Sequence, residues 1–329
     1  MRTGTVSVVV LALLLAAANA GCGRDRPAAE PVPTEEVDTG AFEDEELTGS
    51  VRADGSSTVA PLVSLAAERF RKKEPGVEVT VGISGTGGGF ERFCRGETDL
   101  SNASRPIKDE EIAACSKKRI DYLELQVAND GLSVVVNNGN DWARCLTVDQ
   151  LKKIWAPGSK VKNWREIDPS FPSQKLTLYG AGTDSGTFDY FTDAIVGEEG
   201  ASRTDYSATE DDNVTVRGVS GAKGALGYFG LSYLESNEGK LKGVEIDGGD
   251  GCVAPTVDTV QDGTYKPLSR PLFTYVKTTA LEKAAVDTFL AFLLDNQEQL
   301  ARRALFVPLT DDQLERSRTV LEGASNAVD

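Results

Sequence analysis

Ser185, Gly186 and Thr187 close the segment Gly182-Thr183-Asp184-Ser185-Gly186-Thr187, where small hydroxyl residues run into helical apolar spacing at Phe188, Phe191 and Ile195. The chemistry available there is capture of a tetrahedral oxyanion. Free amides at a helix start point outward with the positive end of the helix dipole, and a glycine exposes its amide without a Cβ. Ser57 and Thr58 end a similar turn, Asp54-Gly55-Ser56-Ser57-Thr58, ahead of Leu62, Leu65, Ala66 and Phe70. Thr86 lies in Gly85-Thr86-Gly87-Gly88-Gly89, ahead of Phe90 and Phe93. Any one of these hydroxyls is explained by helix capping alone. Their recurrence points to one shared anion site.

Together with Ser101-Asn102-Ala103-Ser104-Arg105-Pro106-Ile107, these segments resemble in order the phosphate-binding lipoproteins that feed Pst-type ABC importers. The resemblance spans residues 51–310. It implies an α/β fold of the two-lobed, type II periplasmic-binding-protein-like class, closing over inorganic phosphate in an interlobe cleft and delivering it to an ABC permease. It implies no enzyme and no cofactor. Ligands carry over to Ser57, Thr58 and Thr86 in lobe 1 and to Ser185, Gly186 and Thr187 in lobe 2, with Ser104 a possible addition.

Two positions depart from the better-known branch of that family. Arg105 stands where the branch has an Asp after Ala-Ser, and Ala181 and Gly182 stand where it has an Arg before the lobe 2 turn. Arg105, the only cation close to the matched motifs in the sequence, is therefore expected to supply the guanidinium, held extended by the proline after it. A structural salt bridge is the plain alternative. Phosphate near neutral pH still carries a proton, so a carboxylate acceptor would separate it from fully ionised sulfate. Asp184 is the first candidate, with Asp130, Asp211 or Asn213 to complete the site if Asp184 pairs with Arg105.

Positioning such a site takes βαβ alternation. The pattern predicts a strand near Val51, a helix over 61–73, a strand over 77–81, a Gly-rich turn, a short strand ending at Ser101 and a helix around 109–118. A long strand over 123–136, interrupted at Asn129-Asp130-Gly131, is read as the first crossing between lobes. Lobe 2 then takes a helix over 147–155, strands over 175–179 and 224–229, and the anion cradle with its helix. The chain returns near 268–276, where Arg270-Pro271 echoes Arg105-Pro106, and an amphipathic helix over 279–294 caps lobe 1. The lobes are thus 51–131 with 266–329, and 132–265.

Before residue 51 the composition changes. Arg2 and the apolar run from Val8 to Ala18 have signal-peptide proportions over 1–21, too short to span a bilayer. Ala20-Gly21-Cys22 fits a lipoprotein cleavage box with Asn19 in place of the usual Leu, which makes Cys22 the expected lipidation site; an ordinary secretory signal is the alternative. Residues 22–50, with Pro27, Pro31 and Pro33 among many acids, read as a disordered stalk. The protein is expected outside the cytoplasm as a monomer, tethered to the membrane by its lipid alone.

The chain carries 35 Lys and Arg against 51 Asp and Glu, a formal charge of −16 that argues against nucleic acid and anionic lipid surfaces. It does not argue against a small anion, because cleft contacts act within a few ångströms. Setting Cys22 aside leaves Cys94, Cys115, Cys145 and Cys252, an even number for an exported chain with three possible connectivities. Closeness in sequence pairs Cys94 with Cys115, and shared placement in lobe 2 pairs Cys145 with Cys252. The chain has 0 His and no CxxC, which leaves zinc without its usual ligands and rules out a Ser-His-Asp triad. Ser220-Gly221-Ala222-Lys223 matches S-x-x-K without its companion motifs. A secreted phosphoesterase on the same fold, and a binder of sulfate or molybdate, remain the rival readings.

Overall fold

The computed structural model describes residues 46–328. The leader over 1–21, Cys22 and the stalk as far as residue 45 lie outside the described residues. No helix among the described residues is long and apolar enough to cross a membrane.

From the N-terminal side the chain forms β1 (Gly49–Gly55), α1 (Ala60–Lys73), β2 (Val77–Val81), α2 (Gly85–Cys94), β3 (Leu100–Ala103), α3 (Asp109–Lys117) and the long β4 (Tyr122–Asn137). There follow β5 (Cys145–Thr147), α4 (Val148–Trp155), α5 (Trp164–Ile167), β6 (Thr177–Ala181) and α6 (Gly186–Phe191), which runs into a wider turn over Thr192–Val196. Next come β7 (Ser207–Thr209), α7 (Asp212–Gly221), β8 (Ala225–Gly230), α8 (Leu231–Glu235), β9 (Leu241–Gly243), β10 (Glu245–Asp247), β11 (Cys252–Val253) and α9 (Val257–Gln261). The return strand is β12 (Ser269–Lys277), followed by α10 (Ala284–Asp295), α11 (Gln297–Arg303) and α12 (Asp311–Val328).

Nine strands make one mixed sheet in the order β2-β1-β3-β12-β4-β8-β6-β7, with β9 beside β4. β4 is its spine. Tyr122 to Gly131 pair antiparallel with β12, and Leu132 to Val136 pair antiparallel with β8. The core changes hands at the same place. Val51, Phe70, Leu125, Leu272 and Phe289 belong to one apolar cluster, whereas Val134, Trp155, Trp164, Phe191 and Tyr228 belong to another. Each such side chain, fully buried, contributes about 1.5 to 3 kcal/mol, so each half has a core of its own. Between the clusters lie Asn129-Asp130-Gly131 on β4 and Ser269-Arg270-Pro271 on β12, directly opposite each other in register.

The local elements follow from composition. α1 carries a proline, Pro61, in its first turn, buries Leu62, Val63, Ala66 and Phe70 on one face, and ends on Arg71, Lys72 and Lys73, which suit the negative end of its dipole. The Gly-rich stretch departs from expectation, since Gly85 to Gly89 form the first turns of α2. Packing overrides propensity there: a Cβ on Gly89 would stand 2.5 Å from the Gly55 Cα, so only glycine lets the helix sit against β1. The capping helix also starts later than its sequence pattern, at Ala284. Trp155 and Trp164 are core residues, 1% and 0% exposed.

Disulfides join Cys94 to Cys115, tying α2 to α3, and Cys145 to Cys252, tying the two outer strands of the small sheet β11-β10-β5. Cys94 and Cys115 are 21 residues apart in the chain. Replacing both by serine is expected to lower unfolding free energy by about 3 kcal/mol in the chain-entropy treatment, read by urea denaturation. An unchanged midpoint would mean that the α2–α3 packing holds without the link.

Candidate functional site

Thr58 is where the halves of the molecule meet. It lies in the turn between β1 and α1, half-buried with Ser57. Across from it stands the start of α6, and a Cβ built on Gly186 would lie 2.8 Å from the Thr58 Oγ1 and 3.3 Å from its Cα. Two of the expected cradles therefore abut. Ser185 caps α6 by accepting from the Thr187 amide at 3.1 Å, which keeps the hydroxyls and amides of this turn in one orientation. Ser57, Thr58, Ser185, Gly186 and Thr187 line a cavity of about 170 Å³, and Asp130 lines it with them.

A larger cleft of about 680 Å³ opens on the other side of Thr58 and shares Ser57 and Thr58 with the smaller cavity. Thr86, Ser104 and Arg105 line it. Thr86 Oγ1 accepts from the Ser104 amide at 3.3 Å and lies 3.1 Å from the Ser104 hydroxyl, so α2 and the end of β3 hold each other. Arg105 is engaged within its own lobe. Its two terminal nitrogens fork the carboxylate of Glu111, each at 2.8 Å. Burial pushes the Glu111 carboxyl up, but the Arg105 fork and the Lys108 amide outweigh it and hold the group below the usual carboxylate range.

The cation nearest the double cradle is Arg270, which corrects the expectation that Arg105 is the only one close to the motifs. Arg270 Nη2 donates to Thr58 Oγ1 at 3.1 Å, and Nε donates to Asp130 Oδ2 at 3.1 Å. The guanidinium carbon sits 3.5 Å from the ring centroid of Tyr190 in α6, whose hydroxyl donates to the Pro267 carbonyl at 2.8 Å. Sequence distance hid this residue: Arg270 is far along the chain from every matched motif, and only the β4–β12 register brings it to Asp130. The Arg-Pro echo was the one signal available.

Asp130 is buried, and that burial pushes its carboxyl pKa up while Arg270 pulls it back. Asp184 is exposed and lines neither cavity. Asn213 is exposed as well, its amide and side chain both donating to Asp211 Oδ1 at 3.0 Å, so Asp211 is spent as the cap of α7. Sequence reasoning passed over Asp212, which lines the smaller cavity. Burial first, then the charges of Asp211 and Glu210, raise its carboxyl to about 6.

That shift has a definite sign. The folded state holds a proton on Asp212 that the unfolded chain releases near pH 4, so the group favours folding below about pH 4 and loses this contribution as pH rises through about 6. Asp212→Asn is accordingly expected to raise the melting temperature at pH 7.5 by about 3 °C, with the gain vanishing below about pH 4. A gain of equal size at both pH values would assign it to packing instead.

Cys145, Glu245 and Cys252 are the one grouping of metal-ligand type among the described residues, and both sulfurs are spent in a disulfide. The arrangement at Thr58 can do something simpler. It presents hydroxyls and helix-start amides from two halves around a cavity of about 170 Å³ that Asp130 also lines, with Arg270 lining the adjoining larger cleft.

Known proteins share the scaffold. The model of a PBP superfamily domain matches residues 40–297. Protein SphX of Synechococcus elongatus is 48% identical over 290 residues, covering 86% of each chain. The phosphate-binding protein PstS of Staphylococcus saprophyticus is 41% identical over 263 residues, covering 79% of this chain and 81% of its own. The crystal structure of a possible phosphate-binding protein from Planctomyces limnophilus superposes with a TM-score of 0.81 at 45% identity, covering 84% of this chain and 99% of that one. With the two-core sheet, the paired cradles and these likenesses in agreement, the chain belongs to the PBP superfamily.

Proposed function

We propose that this protein binds inorganic phosphate between its lobes and hands it to an ABC permease, without turning it over. The observation that carries this reading is the closeness of two oxyanion cradles from opposite halves, such that a Cβ added to Gly186 would stand 2.8 Å from Thr58 Oγ1. Phosphate there would take hydrogen bonds from the Thr58 and Thr187 hydroxyls and from first-turn amides of α6. Its proton would go to Asp130, the buried carboxylate of the same cavity. Arg105, Thr86 and Ser104 face the larger cleft and would join when the lobes close further. PstS of Staphylococcus saprophyticus is a phosphate-binding protein by name, and 41% identity over most of both chains supports the same ligand here.

The apolar run from Val8 to Ala18 and the Ala20-Gly21-Cys22 box support an exported chain, lipid-anchored at Cys22 and standing off the membrane on its acidic stalk as a monomer. The test of function is a panel of melting curves with phosphate, sulfate, molybdate and a phosphomonoester. Phosphate alone should raise the melting temperature, with about 2.7 kcal/mol of stabilisation at a hundredfold excess over Kd. A larger shift with sulfate or molybdate would reassign the ligand, and release of phosphate from the ester would make the protein an esterase.

A further inference from the structure

We propose that Arg270 is a positioning residue that acts through Thr58, fixing the Thr58 hydroxyl as a donor and thereby deciding which phosphate oxygen carries the proton. The inference rests on phosphate being the ligand of this cleft.

The argument begins with what each group can do. A threonine hydroxyl has one hydrogen to give and two lone pairs to receive with, whereas a guanidinium only gives. Because Arg270 Nη2 donates to Thr58 Oγ1 at 3.1 Å, the Thr58 hydrogen cannot be spent on Arg270 and is left for a group in the cavities that Thr58 lines. The charged donor behind it polarises the O–H bond and makes it a stronger donor. An anion facing Thr58 is therefore offered that hydrogen, which a bare oxygen takes best.

The protonated oxygen is then left to face elsewhere, and Asp130 is the acceptor placed for it. Asp130 Oδ2 is held by Arg270 Nε at 3.1 Å, and Asp130 lines the same small cavity as Ser185 and Thr187. One guanidinium thus sets a donor at Thr58 and fixes an acceptor at Asp130. Tyr190 keeps its plane: the ring lies 3.5 Å beneath the guanidinium carbon, and α6, which carries Tyr190, also carries Gly186 and Thr187. The guanidinium so joins all three parts of the cleft, touching the β1–α1 turn, the crossing strands and the lobe 2 cradle helix. Lysine in its place would keep the charge. It would lose the planar fork that reaches Thr58 and Asp130 at once.

The test is a double-mutant cycle on phosphate affinity, with sulfate titrated alongside, using Thr58→Val, Arg270→Lys and the double variant. Thr58→Val alone is expected to weaken phosphate about 10-fold, the loss of one hydrogen bond to a charged group. In the Arg270→Lys background the same change should cost less than about 2-fold, because the hydroxyl is no longer held as a donor. Arg270→Lys should also narrow the phosphate-to-sulfate ratio. A purely structural Arg270 would lower the melting temperature while the two substitutions multiplied independently and the ratio stayed put, and that result overturns the proposal. Arg270→Lys with wild-type affinity overturns it too. If the unaltered protein binds no phosphate, the functional reading falls first and takes this one with it; independent effects in a protein that does bind phosphate remove only the role of Arg270.

Discussion

Gly186→Asp is expected to abolish phosphate binding, with at least a ~10³-fold loss of affinity. The new Cβ would stand 2.8 Å from the Thr58 Oγ1, closer than side chains tolerate, so the lobe 2 cradle must back away from the lobe 1 turn. The carboxylate it carries would then occupy the anion's place and repel it; steric displacement plus a like charge in a desolvated site reaches several kcal/mol, and each 1.4 kcal/mol is a factor of ten. Gly186→Ala separates the two effects, retaining the crowding without the charge and costing about 10-fold, or 1.4 kcal/mol. Equilibrium dialysis with labelled phosphate reads both. Wild-type affinity in Gly186→Asp would move the site away from α6.

The second large effect is on folding. Asp130→Ala leaves the Arg270 guanidinium, 17% exposed at its side chain, without its one salt-bridged carboxylate among the described residues. Breaking a buried pair from one side costs about 3 to 5 kcal/mol, because the remaining charge stays desolvated and uncompensated. Denaturant unfolding at pH 7 should show this loss. Asp130→Asn keeps the shape and spares much of the stability. Its amide cannot serve as the carboxylate acceptor, so preference for phosphate over sulfate should narrow. A phosphate-to-sulfate ratio unmoved by Asp130→Asn would place the proton acceptor at another group, with Asp212 next in line by position.

How much of this was legible in the sequence depends on how far each signal reaches along the chain. The cradles at Ser57-Thr58 and Ser185-Gly186-Thr187 could be found because a helix start is a local device, written in a few consecutive residues. Strand β4 was visible for the same reason, but the interruption expected at Asn129-Asp130-Gly131 is absent: the strand runs unbroken from Tyr122 to Asn137, and only its partner changes there, from β12 to β8. Arg270 was assigned no role, because its partners Asp130 and Thr58 are 140 and 212 residues away and only strand register joins them. Asp184 drew attention by adjacency to Ser185, yet adjacency says nothing about direction, and the residue is exposed. The glycines of α2 show the converse error. Their propensity argues for a turn, but the space beside Gly55 admits no side chain, and packing decides.

Titration calorimetry of the protein with phosphate and with sulfate at pH 7 tests the central claim most directly. Saturable binding of phosphate at one site per chain is expected, with sulfate at least ~100-fold weaker because it brings no proton to Asp130 and leaves that carboxylate facing a bare anionic oxygen. Equal affinity for the two anions, or no heat with phosphate at all, would contradict the account.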